Sequence, residues 1–141
     1  MINKFFGEYR FLSNFYPCKI VLDNIEFPSV EHAYVASKSL DENFRREVAS
    51  IAKPGDVKKI GKKVKLREDW ESVKLFIMEY LVRQKFSNDP LKTKLIYTYP
   101  RELIEGNTWG DTFWGQCNGV GQNHLGKILM KVREELIRGI P

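Results

Sequence analysis

The sequence predicts a predominantly helical α+β fold with one small β-sheet, in a single compact domain spanning residues 1–141. Three observations carry this. Apolar residues recur at helical spacing along most of the chain. One short stretch alone reads as a hairpin, and no linker, repeat or low-complexity tract breaks the pattern. With 141 residues, 43% of them hydrophobic, the chain can bury a sizeable core without a second domain.

Lys19–Leu22 and Ile25–Phe27 predict two strands, because Asp23 and Asn24 between them tolerate the positive φ of a two-residue turn. Ser29 is a good N-cap for a first helix over about residues 30–40, in which Val30, Ala33, Tyr34 and Ser37 share one face. Asp41 or Asn43 caps a second helix through Ala52, which Lys53-Pro54-Gly55 ends, and Asp56 caps a short third helix carrying lysines. Asp69 caps the longest pattern, Trp70 to about Phe86. Apolar groups cover most of its circumference, so it is expected to be the central, most buried helix. Asp89-Pro90 starts a further helix through about Tyr97, and Glu102–Glu105 follows Pro100 as a strand. The Gly-rich stretch from Gly106 to Gly121 reads as a loop, and the last helix runs from an Asn123 cap to Gly139.

Composition excludes several classes. No apolar run approaches the ~20 residues that span a bilayer, and no secretion signal opens the chain, so a cytoplasmic protein without membrane association is expected. Cys18 and Cys117 are expected to be reduced thiols, since a chain with a real core needs no staple. His32 and His124, the two histidines, lack partners at metal spacing and read as structural hydrogen-bonding residues; no metal or other cofactor is expected. The net charge of +5 is uneven: Lys53, Lys58, Lys59, Lys62, Lys63, Lys65 and Arg67 fall close together. Such a segment is either a solvated helix face or a place where one or two cations meet a phosphate.

The residues with chemistry form islands. Asp111 stands three positions before Trp114, beside Gly115, a grouping that can stack a flat ring and handle a proton or a positive charge. Phe11-Leu-Ser-Asn-Phe-Tyr-Pro17, Pro28-Ser-Val-Glu-His-Ala-Tyr34, Arg67-Glu-Asp-Trp70 and Asn123-His-Leu-Gly126 are the others. Each has a plain structural reading. Glu31 would complement a helix dipole, Asp111 would form a turn, and the aromatic groups would cover the core.

Taken in order, from about residue 5 to residue 137, these islands resemble the NADAR family, also called YbiA-like. That resemblance implies an N-glycosidase that cuts the bond between ribose C1 and a nitrogen, in riboflavin-pathway ribosylamino-pyrimidines or in ADP-ribosylated guanine, free or in nucleic acid. It implies catalytic roles for Glu31, through the Val30-Glu31-His32 match, and for Asp111, with Trp114 and Trp70 at substrate-binding positions; Trp109 lacks such support and reads as packing. Asn14 and Phe15 read as a pocket wall with a polar handle. Lys38, two turns from Glu31 on nearly the same face, would hold that carboxylate or meet a phosphate. Gly61-Lys62 stands where the family commonly has Gly-Arg, which keeps the charge of a phosphate contact and loses the bidentate fork.

Cleavage of a C1–N bond puts positive charge on the ribose, so a carboxylate near it stabilises the transition state more than the ground state. A second group must assist the leaving nitrogen. The rival readings are a non-catalytic ADP-ribose or nucleotide-binding module, which needs no paired acids, and a nucleic-acid binder, which lacks aromatic residues interleaved with the basic ones.

Overall fold

The computed structural model describes residues 1–139. Its elements in chain order are a 3-10 turn (Gly7–Leu12), β1 (Ile20–Leu22), β2 (Ile25–Phe27), α1 (Val30–Ser37), α2 (Glu42–Ser50), α3 (Pro54–Gly61), α4 (Trp70–Lys85), α5 (Leu91–Ile96), β3 (Gly106–Asn107), β4 (Gln116–Cys117) and α6 (His124–Arg138). This is the helix-rich α+β class that the periodicity predicts. The contacts separate into two units: Asn14–Lys85, and Met1–Ser13 together with the chain from Phe86 onward.

In the unit Asn14–Lys85, β1 and β2 form the expected antiparallel hairpin, with Ile20 opposite Phe27 and Leu22 opposite Ile25. Asp23 and Asn24 adopt φ of 50° and 64°, the positive values that a tight hairpin turn requires. The period-two alternation buries Ile20, Ile25 and Phe27 on one face. Ser29 caps α1 by accepting from the His32 backbone N–H at 3.1 Å. The helix closes at Ser37 rather than near residue 40, because Lys38 and Ser39 donate to Val35 and Ala36 in tighter i,i+3 bonds.

α2 begins after Asp41, whose carboxylate accepts from the Asn43 N–H at 2.9 Å. It stops at Ser50, two residues short of the expectation, since Ile51 is extended and its carbonyl meets His32 Nε2 at 2.7 Å. The other ring nitrogen of His32 lies 2.6 Å from Ser29 Oγ, and burial lowers the imidazole pKa, so the neutral ring ties α1 to the end of α2. α3 opens one turn earlier than the aspartate signal implies. Pro54 takes the first helical position, where its missing N–H costs nothing, and the Lys53 carbonyl accepts from Asp56 and Val57. Arg45, almost fully buried, pairs with Asp23 in the hairpin turn and donates to the Ser39 carbonyl at 2.9 Å.

α4 is not the most buried helix. Leu75, Phe76 and Tyr80 are exposed, Phe76 to 77%, whereas in α1 every residue but Glu31 is buried. The reason is packing. α1 is covered by α2, α3, α4 and both hairpin strands, while within this unit α4 rests one face on α1 and β1. That face carries Trp70, Met78, Leu81, Val82 and, at its end, Lys85.

Lys85 is almost fully buried, its Nζ 5.7 Å from the Tyr16 ring centroid, and desolvation pushes its pKa down to about 7, opposed by the nearby Cys18 thiol. An unfolded chain keeps the lysine proton to 10.5. The unfolded state therefore binds more protons between these values. Stability should rise with pH above about 7, and the whole penalty of burying the ammonium is present below it. Urea titrations at about pH 7 and about pH 9 should show this rise, and Lys85→Met should make it shallower. An unchanged pH dependence in Lys85→Met would refute the assignment. Both cysteines are free thiols.

In the other unit, α5 packs against α6. Asp89 accepts from the Thr93 N–H at 2.9 Å and from its hydroxyl, so it caps from one residue before Pro90. The expected strand at Glu102–Glu105 reduces to one parallel bridge, Leu103 with Ile2, flanked by bonds from Ile2 N–H to the Glu102 carbonyl and from Ile104 N–H to the Ile2 carbonyl. Strand pairing appears instead inside the stretch read as loop: β3 and β4 are parallel, with Gly106 opposite Gln116. Two glycines permit it. A Cβ on Gly106 would stand 2.1 Å from the Asn3 carbonyl oxygen, and one on Gly115 would stand 2.0 Å from that of Glu105.

Asn123 occupies the N-cap position of α6 at φ 54°, but its side chain does not cap the helix. It accepts from the Glu105 N–H and donates to the Leu103 carbonyl, both at 3.0 Å, and so sews the 103–105 segment to the helix start. Gly139 ends α6 in the left-handed conformation, as expected.

Candidate active site

The predicted site residues fall in both units. Asn14, Phe15, Glu31, Lys38, Lys62 and Trp70 belong to the unit Asn14–Lys85, and Asp111 and Trp114 to the other.

In the first set, the backbone gathers residues around the opening turn of α1. Glu31 follows the first helical residue, Val30, and its N–H donates to the Asn14 carbonyl at 3.0 Å. The Asn14 amide in turn points at Met78 Sδ on α4, 3.6 Å away. One turn along α1 from Glu31 is Tyr34, whose ring meets that of Trp70 with centroids 5.3 Å apart at 56°. One further turn along, Lys38 places its Nζ 5.5 Å from the Tyr34 centroid and 3.0 Å from the Gly61 carbonyl oxygen, to which it donates. Glu31, Tyr34 and the C-cap residue Lys38 thus form an i, i+3, i+7 row along α1, in which Glu31 alone of the helix residues is not buried.

Burial is the largest influence on Lys38 and lowers its pKa. Attraction to Glu31 acts the other way, and repulsion from Lys74 adds to the lowering. Gly61 is buried at the end of α3, where a Cβ would lie 2.9 Å from Val35 Cγ2 and 3.4 Å from Lys38 Nζ. The glycine lets α3 close on α1 and present its carbonyl to the lysine. Phe15 is 38% exposed, and Lys62, exposed, is the C-cap residue that follows the buried Gly61. Lys58 and Lys59 alone of the lysine-rich stretch lie within α3 beyond its opening turn; Lys62, Lys63 and Lys65 follow the helix on the surface.

In the other unit, Asp111 shapes its own loop. Its Oδ1 accepts from the Phe113 N–H at 3.1 Å and the Trp114 N–H at 2.9 Å. Its backbone is clamped by the buried Asn107, which donates to the Asp111 carbonyl at 2.9 Å and accepts from the Asp111 N–H at 3.0 Å. Asn107 also reaches the Glu105 carboxylate at 3.3 Å. Trp114 stands edge-on to Phe113 with centroids 4.8 Å apart. Phe113 also lies 4.6 Å from the His124 ring, whose Nε2 meets Gln122 Oε1 at 2.7 Å. Trp114 is partly exposed, so the loop holds an accessible indole on a frame of backbone hydrogen bonds. Trp109, expected to be packing, is 53% exposed beside Gly110, which takes φ 86°.

Sequence reasoning missed Tyr34, Lys74 and Asn107 as parts of these clusters. Tyr34 and Lys74 were within reach of helical arithmetic, three residues from Glu31 and four from Trp70, but each also fits a buried or solvated helix face. Asn107 carried no signal because its role depends on a turn closed four residues later. Among the described residues, no group of three His, Cys, Asp or Glu side chains is arranged to hold a metal ion, and no helix is long and apolar enough to cross a membrane.

The family model for the NADAR domain matches residues 4–137. The chain belongs to the NADAR family. This NADAR chain is 38% identical over 133 residues to the N-glycosidase YbiA of Shigella boydii, covering 92% of this chain and 82% of that protein. It is 35% identical over 139 residues to an N-glycosidase of Nostoc punctiforme, covering 94% and 89%. A riboflavin biosynthesis protein of Vibrio vulnificus is 38% identical over 138 residues; the match covers 95% of this chain and only 37% of that protein's length. The NMR structure of Escherichia coli YbiA matches with a TM-score of 0.85 and 34% identity over 98% of this chain and 86% of that one. With relatives of comparable length bearing that name, the NADAR chain is an N-glycosidase.

Proposed function

We propose that the protein hydrolyses the bond between ribose C1 and a nitrogen in a phosphorylated riboside, with Glu31 and Asp111 as catalytic carboxylates. The observation that carries this reading is the α1 row. It offers a carboxylate on a backbone pinned by Asn14, an aromatic pair one turn away, and an ammonium drawn to the carboxylate from the next turn. An ionised Glu31 opposes the positive charge that grows on C1 and the ring oxygen, and a rigid helix holds it there without reorganisation. Water supplies hydroxyl to C1 and its proton reaches the leaving nitrogen, which is the acid–base work proposed for Asp111. Trp70 and Trp114 serve the flat groups of the substrate, Asn14 and Phe15 the rim around the sugar, and Lys38 and Lys62 its charge.

A ribosylamino-pyrimidine phosphate of the riboflavin pathway is the favoured substrate, supported by the riboflavin biosynthesis protein among the relatives. ADP-ribosylated guanine, free or in DNA, shares the scissile bond and is the competing substrate. Offering both to the purified protein and following free base by chromatography decides between them. The pyrimidine riboside should be cut faster. Faster release of guanine would move the assignment to ADP-ribosylated bases, and binding of ADP-ribose without cleavage of either would make the chain a recognition module.

A further inference from the structure

Lys74, on α4 and outside the lysine-rich segment, acts on the α1 row through its charge on Lys38. Contacts along α1 fix which way α4 runs beside it. Glu31 meets Asn14, which meets Met78; Tyr34 meets Trp70; and the Lys38 carbonyl accepts from the Arg67 N–H at 2.7 Å, just before α4 begins. Rising residue numbers on α1 therefore face falling ones on α4, so the two helices are antiparallel. Trp70, Lys74 and Met78 are spaced i, i+4, i+8 and lie on one face. Lys74 consequently sits between the level of Trp70 and that of Met78, alongside the Glu31–Tyr34 turn.

Its environment is unusual for a surface lysine. The Lys74 side chain is 17% exposed, while its ion-pair partner Glu71, at 2.9 Å, is 77% exposed. Most of the lysine side chain is covered while the carboxylate it pairs with stays in water, where such a pair contributes little. The positive charge of Lys74 acts on Lys38, where it adds the smallest of three influences to the lowering that burial imposes. Two cations brought together at a cost, beside an aromatic pair and a carboxylate, form a site that a doubly charged anion would relieve. Lys38 is already aimed by the Gly61 carbonyl and the Tyr34 ring, which leaves further ammonium protons to donate.

We infer that Lys74 and Lys38 together form the subsite for the phosphate monoester of the riboside, making Lys74 the residue that selects phosphorylated over unphosphorylated substrate. This rests on the proposed N-glycosidase substrate class. It places the phosphate monoester at the α1–α4 seam, where partial burial strengthens each charged hydrogen bond.

The test compares a ribosylamino-pyrimidine 5′-phosphate with its dephosphorylated form, reading kcat/KM for each, alongside calorimetric titration of the whole chain with ribose 5-phosphate, ribose and inorganic phosphate. In the unaltered protein the phosphate should raise kcat/KM, and ribose 5-phosphate should bind where ribose does not. Lys74→Gln should cut the ratio of the two kcat/KM values at least ~10-fold, the scale of one charge-assisted hydrogen bond, mainly through KM. Lys74→Arg should keep most of it, and Lys63→Gln, on the exposed stretch, should leave it as it is. A ratio unmoved in Lys74→Gln, or ribose 5-phosphate binding retained by it, overturns the subsite. If the unaltered chain cuts neither riboside, the substrate reading fails while the calorimetry still decides the subsite: phosphate binding lost in Lys74→Gln sustains it, and equal binding by ribose and ribose 5-phosphate removes it.

Discussion

Glu31→Gln is expected to lower turnover at least ~100-fold while substrate affinity stays within about threefold, because the amide keeps the shape and removes the charge that opposes the oxocarbenium ion. The substitution should not disturb the helix. The contact that pins this residue is its own backbone N–H to the Asn14 carbonyl, which glutamine retains, and loss of a first-turn acid costs only ~0.3 to 1 kcal/mol. Single-turnover kinetics with circular dichroism of the variant separate the two effects. Near-normal turnover in a folded Glu31→Gln protein would remove Glu31 from the mechanism and leave it as a helix-dipole residue.

Asp111 requires two variants, since its Oδ1 already accepts from two backbone N–H groups. Asp111→Asn retains an acceptor oxygen at that point and loses the charge; Asp111→Ala loses both. A catalytic carboxylate predicts a fall in turnover of ~100-fold in the asparagine variant with the melting temperature little changed. The alanine variant should show the same fall together with a loss of ~1 to 3 kcal/mol of stability from the unsatisfied loop. A turn-former alone predicts that asparagine is tolerated and only alanine is harmful. The pair of measurements therefore distinguishes a proton-handling role from one of holding Trp114 in place, and an active asparagine variant would reduce the mechanism to one carboxylate.

Local chemistry determined much of the molecule directly from its residues. The Asp23-Asn24 turn, the Ser29 cap, the Asp41 cap and the Gly139 stop each depend on a few atoms within four residues, and all stand where the sequence placed them. The islands that resemble the NADAR family were legible for the same reason, because short ordered motifs survive without knowledge of their contacts; the family match over residues 4–137 agrees with them.

What tertiary structure alone decided were matters of long-range partnership. Apolar coverage of α4 suggested the central helix, yet burial is set by how many neighbours surround an element, and α1 has five while leaving Phe76 on α4 in water. A glycine-rich stretch suggested a loop, yet Gly106 and Gly115 are there because other backbone passes where a Cβ would stand, so that two short strands can pair. Asn123 looked like a helix cap, but its amide satisfies a carbonyl and an N–H from residues 103 and 105, a use that no spacing reveals. The position of Lys74 belongs to the same class. A lysine four residues past a tryptophan is an ordinary solvated side chain until the antiparallel run of α1 and α4 sets it at the level of the Glu31–Tyr34 turn, where its charge acts on Lys38 and its side chain is 17% exposed.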